Sequence, residues 1–334
     1  MISGGINMEN RNSKCAGSWE ELLHNAQLFQ LDMVEMEKLK VFWESLDKDF
    51  FRKCAEAVWK ADFPMEEIQS RFSEVETAQY LFLLIAANYG MLEVQCRENG
   101  FPEALYKDMR PDFRVWGETL KRDYGVYGLS PRIFSWAKAC LKGGIKAFGR
   151  LQCEDYHTFF LRLSLYREKG GTLKSLPAFK KGNPPHADLT FGDKCIAVHI
   201  PAGRPLLEEE CIDSFRKMVA FFEEYRPDFD FKAIVCYSWL LDPEFQKLLK
   251  PDSNIVRFQK LGHNLRLENA DQTQEIIWRI WGAPGEKLPP EKLSRNNSLE
   301  KAVAEYIVNG GRFQEGLMVI FRDELPQLFR KLEK

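Results

Sequence analysis

Nowhere in these 334 residues do two cysteines stand in a Cys-x-x-Cys pair, although the chain carries eight cysteines. Structural zinc and dithiol redox sites need closely spaced thiols, so both classes are disfavoured. Histidine is scarce, at five residues. His157, His186 and His263 lie far apart in dissimilar contexts, with no ligand spacing, and no metal is expected. There is no run of about 18 apolar residues, which leaves nothing to span a membrane. The first 14 residues are polar and rich in Gly and Asn, without the apolar segment of a secretory signal. They read as a loose tail, and the cysteines as reduced thiols of a cytoplasmic protein. Charge of one sign is lacking too: 47 basic residues face 49 acidic ones, for a net −2. That balance gives no electrostatic reason to expect nucleic acid or anionic lipid as partner. No internal repeat is visible.

What the chain does have is aromatic bulk, with 25 Phe and 8 Trp, enough for a large core. Its length suggests about two domains. The first, residues 15–145, reads as helices. Ser18-Trp-Glu-Glu21 and Ser73-Glu-Val-Glu76 are capping boxes, in which a serine and a glutamate three residues on satisfy each other's backbone amides. Met33, Met36, Leu39 and Trp43 recur at spacings of three and four. The run from Tyr80 to Val94 is almost wholly apolar and predicts a helix central in its bundle. Ser130-Pro131 opens a last helix that Gly143-Gly144 ends.

From residue 146 the period changes. Short apolar segments at 148–154, 159–166, 187–191 and 194–200 read as strands. Residues 168–186, with their Gly and Pro, read as a surface loop bearing Lys174, Lys180 and Lys181, a solvated cluster or a weak candidate lid. A helix follows from near Glu208 to Pro227, then strands at 231–237 and 254–261 with a short helix at 244–249 between them. Further helices start near Thr273 and Asn297, and a last strand is predicted at 317–321. A strand, a crossover helix and a second strand predict a parallel pair. The fold class expected is α+β.

Several strings resemble a bacterial family of acyltransferase-domain proteins, in which a helical N-terminal domain precedes a GNAT-like domain, here residues 146–334. They are His199-Ile-Pro-Ala-Gly-Arg-Pro-Leu206, Cys236-Tyr-Ser-Trp-Leu-Leu-Asp-Pro243, Ser253-Asn-Ile-Val-Arg-Phe-Gln259 and Ser298-Leu-Glu-Lys-Ala-Val303 with Gly310-Gly-Arg-Phe313. The resemblance implies a mixed sheet of the acyl-CoA N-acyltransferase type. It implies transfer of an acyl group from acyl-CoA or acetyl-CoA to an amine or other small nucleophile. Acyl-CoA would lie where two parallel strands part, its pyrophosphate at a helix N-terminus. On that basis Val198, Ile200, Ala202, Gly203 and Arg204 contact the CoA. The pattern departs from the usual GNAT phosphate loop, Q/R-x-x-G-x-G/A. Only Gly203 and Arg204 are present, Pro205 lacks an N–H, and Glu208, Glu209 and Glu210 put carboxylates at the helix start. The departure favours an alternative, a catalytically degenerate GNAT-like binding module.

Three residues are candidates for the chemistry. His199 ends a strand beside the expected cleft, where an imidazole can act as a general base or simply bond nearby backbone. Tyr237 can protonate a departing thiolate, and Ser238 can bond substrate, or both can satisfy loop backbone at a strand end. Cys195, Cys211 and Cys236 sit in apolar stretches, where a thiol is poorly reactive.

Overall fold

The computed structural model describes residues 18–154, 156–168, 172–184 and 186–333. The reading of residues 1–14 as a tail falls outside them. The chain divides into two compact units that meet between Ala147 and Phe148.

The first unit is helical: α1 (Trp19–Leu28), α2 (Met33–Ser45), α3 (Lys48–Ala57), α4 (Met65–Arg71), α5 (Glu74–Asn88), α6 (Gly90–Glu98), α7 (Ala104–Asp108), α8 (Arg110–Tyr124) and α9 (Pro131–Leu141). Both predicted capping boxes form. The Ser73 amide donates to Glu76 Oε2 at 2.9 Å, and the Glu76 amide to Ser73 Oγ at 3.3 Å. The Ser18–Glu21 pair makes the same exchange. Helix α5 is buried from Thr77 to Asn88, as its all-round apolarity requires. Asn88 is the polar residue this burial demands be satisfied. Its amide donates to the carbonyls of Leu84 and Ala55, and its Oδ1 accepts from Trp59 Nε1, which ties α3 to α5. Phe29, Tyr89 and Phe113 pack on one another with ring centroids 4.8 to 5.4 Å apart.

At the boundary, the predicted strand at 148–154 is two strands, β1 (Ile145–Phe148) and β2 (Leu151–Glu154). Gly149, at φ 75°, and Arg150 turn the chain between them. The second unit continues with β3 (Leu163–Arg167), β4 (Leu173–Pro177), β5 (Leu189–Thr190), β6 (Cys195–His199), α10 (Glu208–Tyr225) and β7 (Ala233–Ser238). After these come α11 (Glu244–Leu248), α12 (Asn254–Gln259), β8 (His263–Asp271), α13 (Thr273–Glu286), α14 (Ser298–Val308), β9 (Gln314–Phe321) and α15 (Leu325–Phe329). The main sheet runs β1-β2-β6-β7-β9-β8, and a small antiparallel sheet runs β4-β3-β5.

Strands β6 and β7 are parallel neighbours joined by α10, as predicted. Two predictions fail. Residues 254–261 form helix α12 rather than a strand, because Ser253 caps it by accepting from the Val256 amide. The region read as loop at 168–186 contains β4, paired along its length with β3. No residue of strand β4 is fully buried, and it has no apolar alternation to betray it. Strand β8 was not foreseen either. Leu265 and Leu267 face the core, while Asn264 and Arg266 between them look like loop residues.

One face of the main sheet carries Cys195, Ala197, Ala233, Val235, Leu317, Val319 and Phe321. It packs against Phe159, Leu165 and Leu189 from the small sheet and the segment before it. Cys236 and Cys211 are fully buried. Burial pushes Cys195 and Cys211 up to about 12, and pushes Cys236 higher. A thiol held protonated in this way is a small hydrophobe rather than a nucleophile.

Gly316 sits opposite Ser238 in the β7–β9 register, under the 3-10 turn Trp239–Leu241. A Cβ there would lie 2.2 Å from the Leu241 carbonyl group. Gly316→Ala is therefore expected to displace the turn that follows β7 and to destabilise the second unit by about 1–3 kcal/mol, as other overpacked sites do. Urea denaturation of the two proteins measures it.

Candidate active site

The pairing of β6 with β7 stops at Val198 and Cys236. Both strands run on, β6 to His199 and β7 through Tyr237 to Ser238. His199 keeps its register with Gln152 of β2, and Tyr237 and Ser238 keep theirs with Leu317 and Gly316 of β9. The two central strands thus hold on to their outer neighbours while letting go of each other at their C-terminal ends. In a parallel sheet this leaves backbone groups available to a third partner.

Just before this opening, β2 ends in Glu154. Its Oε1 lies 3.0 Å from His199 Nε2, and its Oε2 lies 2.9 Å from His157 Nδ1. One carboxylate therefore bridges two imidazoles. Burial alone would raise Glu154, but the hydrogen bonds and charges of His157 and His199 outweigh it and carry the group down to about 2. The carboxylate is ionised at any working pH and favours a proton on each ring nitrogen that faces it. With its Nδ1 turned to Glu154, His157 has its Nε2 buried and without a hydrogen-bond partner. The Tyr237 hydroxyl is in the same condition, and its ring lies 6.0 Å from that of His157. Burial raises Tyr237 far above the ordinary phenol. The half-exposed Phe160 ring leans on Tyr237 at 4.8 Å and on His157 at 5.8 Å. Two buried polar tips without partners each carry a cost of about 1–3 kcal/mol. A ligand able to hydrogen-bond them would relieve it.

The segment after His199 is built by Arg150. This guanidinium, only 4% exposed, donates through Nη1 to the Pro201 carbonyl at 2.9 Å. Through Nη2 it reaches the Arg204 carbonyl at 2.7 Å, and through Nε the Pro205 carbonyl at 2.9 Å. Its own turn is fixed by Ser214 on α10, whose hydroxyl accepts from the amides of Arg150 and Leu151. A trans peptide sets its N–H opposite its C=O. With the carbonyls of Pro201 and Pro205 turned toward the cation, the N–H groups of Ala202 and Leu206 point away from it. Helix α10 begins directly after, with no side-chain cap, so its first amides are also available. Loop amides and a long helix's N-terminus are groups of the kind from which an anion site is built. The acidic first turn spoils it less than the sequence suggests. Glu208 is paired with Lys331 at 3.0 Å, and Glu210 lies 3.8 Å from Arg204.

The residues singled out in the sequence occupy these places. His199 touches Glu154. Tyr237 and Ser238 end β7, and the Ser238 hydroxyl accepts from the Leu240 amide at 3.2 Å, capping the turn. Val198 is fully buried and paired with Cys153 and Cys236. Ile200 leads out of the sheet, and Ala202, Gly203 and Arg204 are exposed in the loop. Arg204 Nη2 donates to the Gly149 carbonyl at 3.0 Å. Sequence reasoning missed Glu154 and Arg150, and weighed His157 only as a metal ligand. The Glu-x-x-His spacing at 154–157 was the one available signal. Among the described residues, no group of three or more His, Cys, Asp or Glu side chains is arranged to hold a metal ion. Nor, among them, is any helix long and apolar enough to cross a membrane.

A helical unit followed by a mixed sheet with an opened parallel pair defines the class: an acyltransferase fold with a GNAT-like sheet domain. Residues 145–319 match the model of the GNAT-like C-terminal domain family, and the chain belongs to that family. Among solved structures, it is similar to an acyltransferase in complex with decanoyl-CoA, at 20% identity and TM-score 0.64, covering 90% of this chain and 86% of that one. It is also similar to an acyltransferase in complex with decanoyl-CoA and teicoplanin, at 18% identity and TM-score 0.65, covering 90% and 88%. A third, in complex with CoA and 10C-teicoplanin, has TM-score 0.63 at 18% identity, covering 91% and 88%. No curated protein matches the chain.

Proposed function

We propose that the protein transfers an acyl group from acyl-CoA to a small nucleophilic acceptor, an amine above all. The single observation carrying this is the parting of β6 from β7 beside a loop whose outward amides Arg150 arranges. That is the geometry a thioester arm and a pyrophosphate need, and the similar structures in complex with acyl-CoA support it. Ala202, Gly203, Leu206 and the start of α10 take the phosphates, with Arg204 at their edge. Val198 and Ile200 line the entry of the arm. The imidazoles on Glu154, His199 and His157, accept the proton of the attacking group, and the bridging carboxylate stabilises the imidazolium that forms. Tyr237 gives its proton to the departing CoA thiolate. Ser238 positions the turn beyond β7.

Titration calorimetry and thermal shift with CoA, acetyl-CoA and octanoyl-CoA test the reading. Binding in the micromolar to millimolar range is expected, followed by release of free thiol once an acceptor amine is added. Neither heat nor stabilisation with any of the three overturns it. One observation favours the alternative of a binding module without turnover: the Phe160 ring packs against the rings of Tyr237 and His157. Binding of acyl-CoA with no thiol release from any acceptor would select that alternative.

A further inference from the structure

Helix α2 buries one face and exposes the other. Met36, Leu39 and Trp43, at spacings of three and four, are buried together with Glu35. The opposite face carries Met33, Val34 and Val41, which are 73%, 66% and 62% exposed. Glu37 and Lys38 stand between them and are exposed as well. These five side chains line an open depression of about 480 Å³. A single exposed valine needs no explanation. Val34 and Val41, however, are two turns apart, and so fall on one line down the middle of the outward face. With Glu37 and Lys38 between them, they have the spacing of a seam along which one helix packs on another.

The sequence through this stretch is antisymmetric in charge. Val34-Glu-Met-Glu37 is followed by Lys38-Leu-Lys-Val41. About the 37–38 bond, apolar residues mirror apolar ones and each acid mirrors a base. Acids first and bases last suit the dipole of any helix, but that does not account for the mirrored valines on the exposed face. Two copies of α2, laid antiparallel about a two-fold axis at the 37–38 bond, do account for them. Val34 then meets Val41 of the second copy, Glu37 meets Lys38 of the second copy, and each contact occurs twice. A parallel pair would instead set Glu37 on Glu37 and Lys38 on Lys38. Lys38 is 46% exposed, with its Nζ 2.9 Å from Glu35 Oε1. It can turn outward without stranding Glu35, because Lys121 Nζ lies 3.3 Å from the same oxygen.

We propose that the outward face of α2 is a self-association surface, and that its occupant is α2 of a second copy of this chain, running antiparallel. The valines supply the attraction, and the ion pairs fix the direction and exclude the parallel arrangement. The helix has 13 residues and is about 20 Å long. One such helix pair buries less than the roughly 1,200–2,000 Å² of stable interfaces. The dimer is therefore reversible, with a dissociation constant of roughly 10–100 μM. The proposal stands apart from the acyl-transfer reading.

Sedimentation velocity of the full chain, at low ionic strength and across the micromolar range, tests it. Wild type is expected to pass from monomer to dimer as concentration rises. Glu37→Lys and Lys38→Glu each set like charges against one another and are expected to weaken association at least ten-fold. An equimolar mixture of those two variants pairs acid with base again at every contact. It is expected to associate within about three-fold of wild type, which damage to either fold would not produce. Val34→Ser combined with Val41→Ser is expected to be monomeric throughout, with the α2 fold checked by circular dichroism melts. A wild-type protein that stays monomeric, a dimer that survives both single charge changes, or a mixture that does not recover overturns the assignment. Pelleting of monomeric wild type with phosphatidylcholine vesicles, abolished by the serine pair, overturns it in favour of a lipid surface.

Discussion

Arg150→Met is expected to lower the stability of the second unit by about 2–4 kcal/mol and to weaken CoA binding by more than ten-fold. The substitution keeps the aliphatic bulk but removes the donors that hold the carbonyls of Pro201, Arg204 and Pro205. Hydrogen bonds to a charged group contribute about 1.5–3 kcal/mol each, and an abandoned buried acceptor costs about 1–3 kcal/mol. Part of this is recovered, because Arg204 and Pro205 are exposed and their carbonyls can turn to water. The CoA effect follows from the other side of each peptide. Once the carbonyls are free to rotate, the amides of Ala202 and Leu206 are no longer held facing outward. Arg150→Lys keeps the charge but not the planar fork, and an intermediate value is expected for both quantities. Urea denaturation and calorimetry with CoA measure the two effects. Wild-type CoA affinity in Arg150→Met would remove the loop from the proposed binding site.

Glu154→Gln is expected to slow acyl transfer by about 10²–10⁴-fold, the usual contribution of a positioned base. The amide can still occupy the space between His157 and His199, but it cannot stabilise a proton on either ring. The same change alters the dependence of stability on pH. Glu154 has its folded pKa at about 2, below its ordinary value of 4.5. A depressed carboxylate contributes stability that is complete above the unfolded value and fades as pH falls through the folded one. The wild-type protein should therefore lose on the order of 2–3 kcal/mol from this group between about pH 4.5 and pH 2. Glu154→Gln should lack that component of the acid limb. Stability curves in urea at stepped pH make the comparison. Superimposable acid limbs would mean that the carboxylate is not held by the two imidazoles in solution.

Features encoded over a few residues were legible in the sequence. The capping serines at 18 and 73, the all-apolar run of α5 and the crossover helix α10 depend on spacings of three and four. What failed was decided at longer range. Residues 254–261 carry Ile, Val and Phe at intervals that suit either period, and the serine before them settled the matter for a helix. Strand β8 interleaves Arg266 with leucines because one of its faces is outside the core. The parallel pair at the centre of the site was foreseen, since strand, helix and strand succeed one another. The site's framework was not. Arg150 is bound to carbonyls 51 to 55 positions away, and main-chain acceptors leave no trace in a sequence. His157 acquires a role only when β6 brings His199 to the other oxygen of Glu154.

The ion pair between Glu208 and Lys331 has a practical consequence for anyone making this protein. Lys331→Ala would set the Glu208 charge free next to the proposed anion seat and weaken CoA capture without touching any group proposed to contact it. A preparation altered at this lysine would then look inactive for reasons of electrostatics alone, and raised salt should partly restore it by screening.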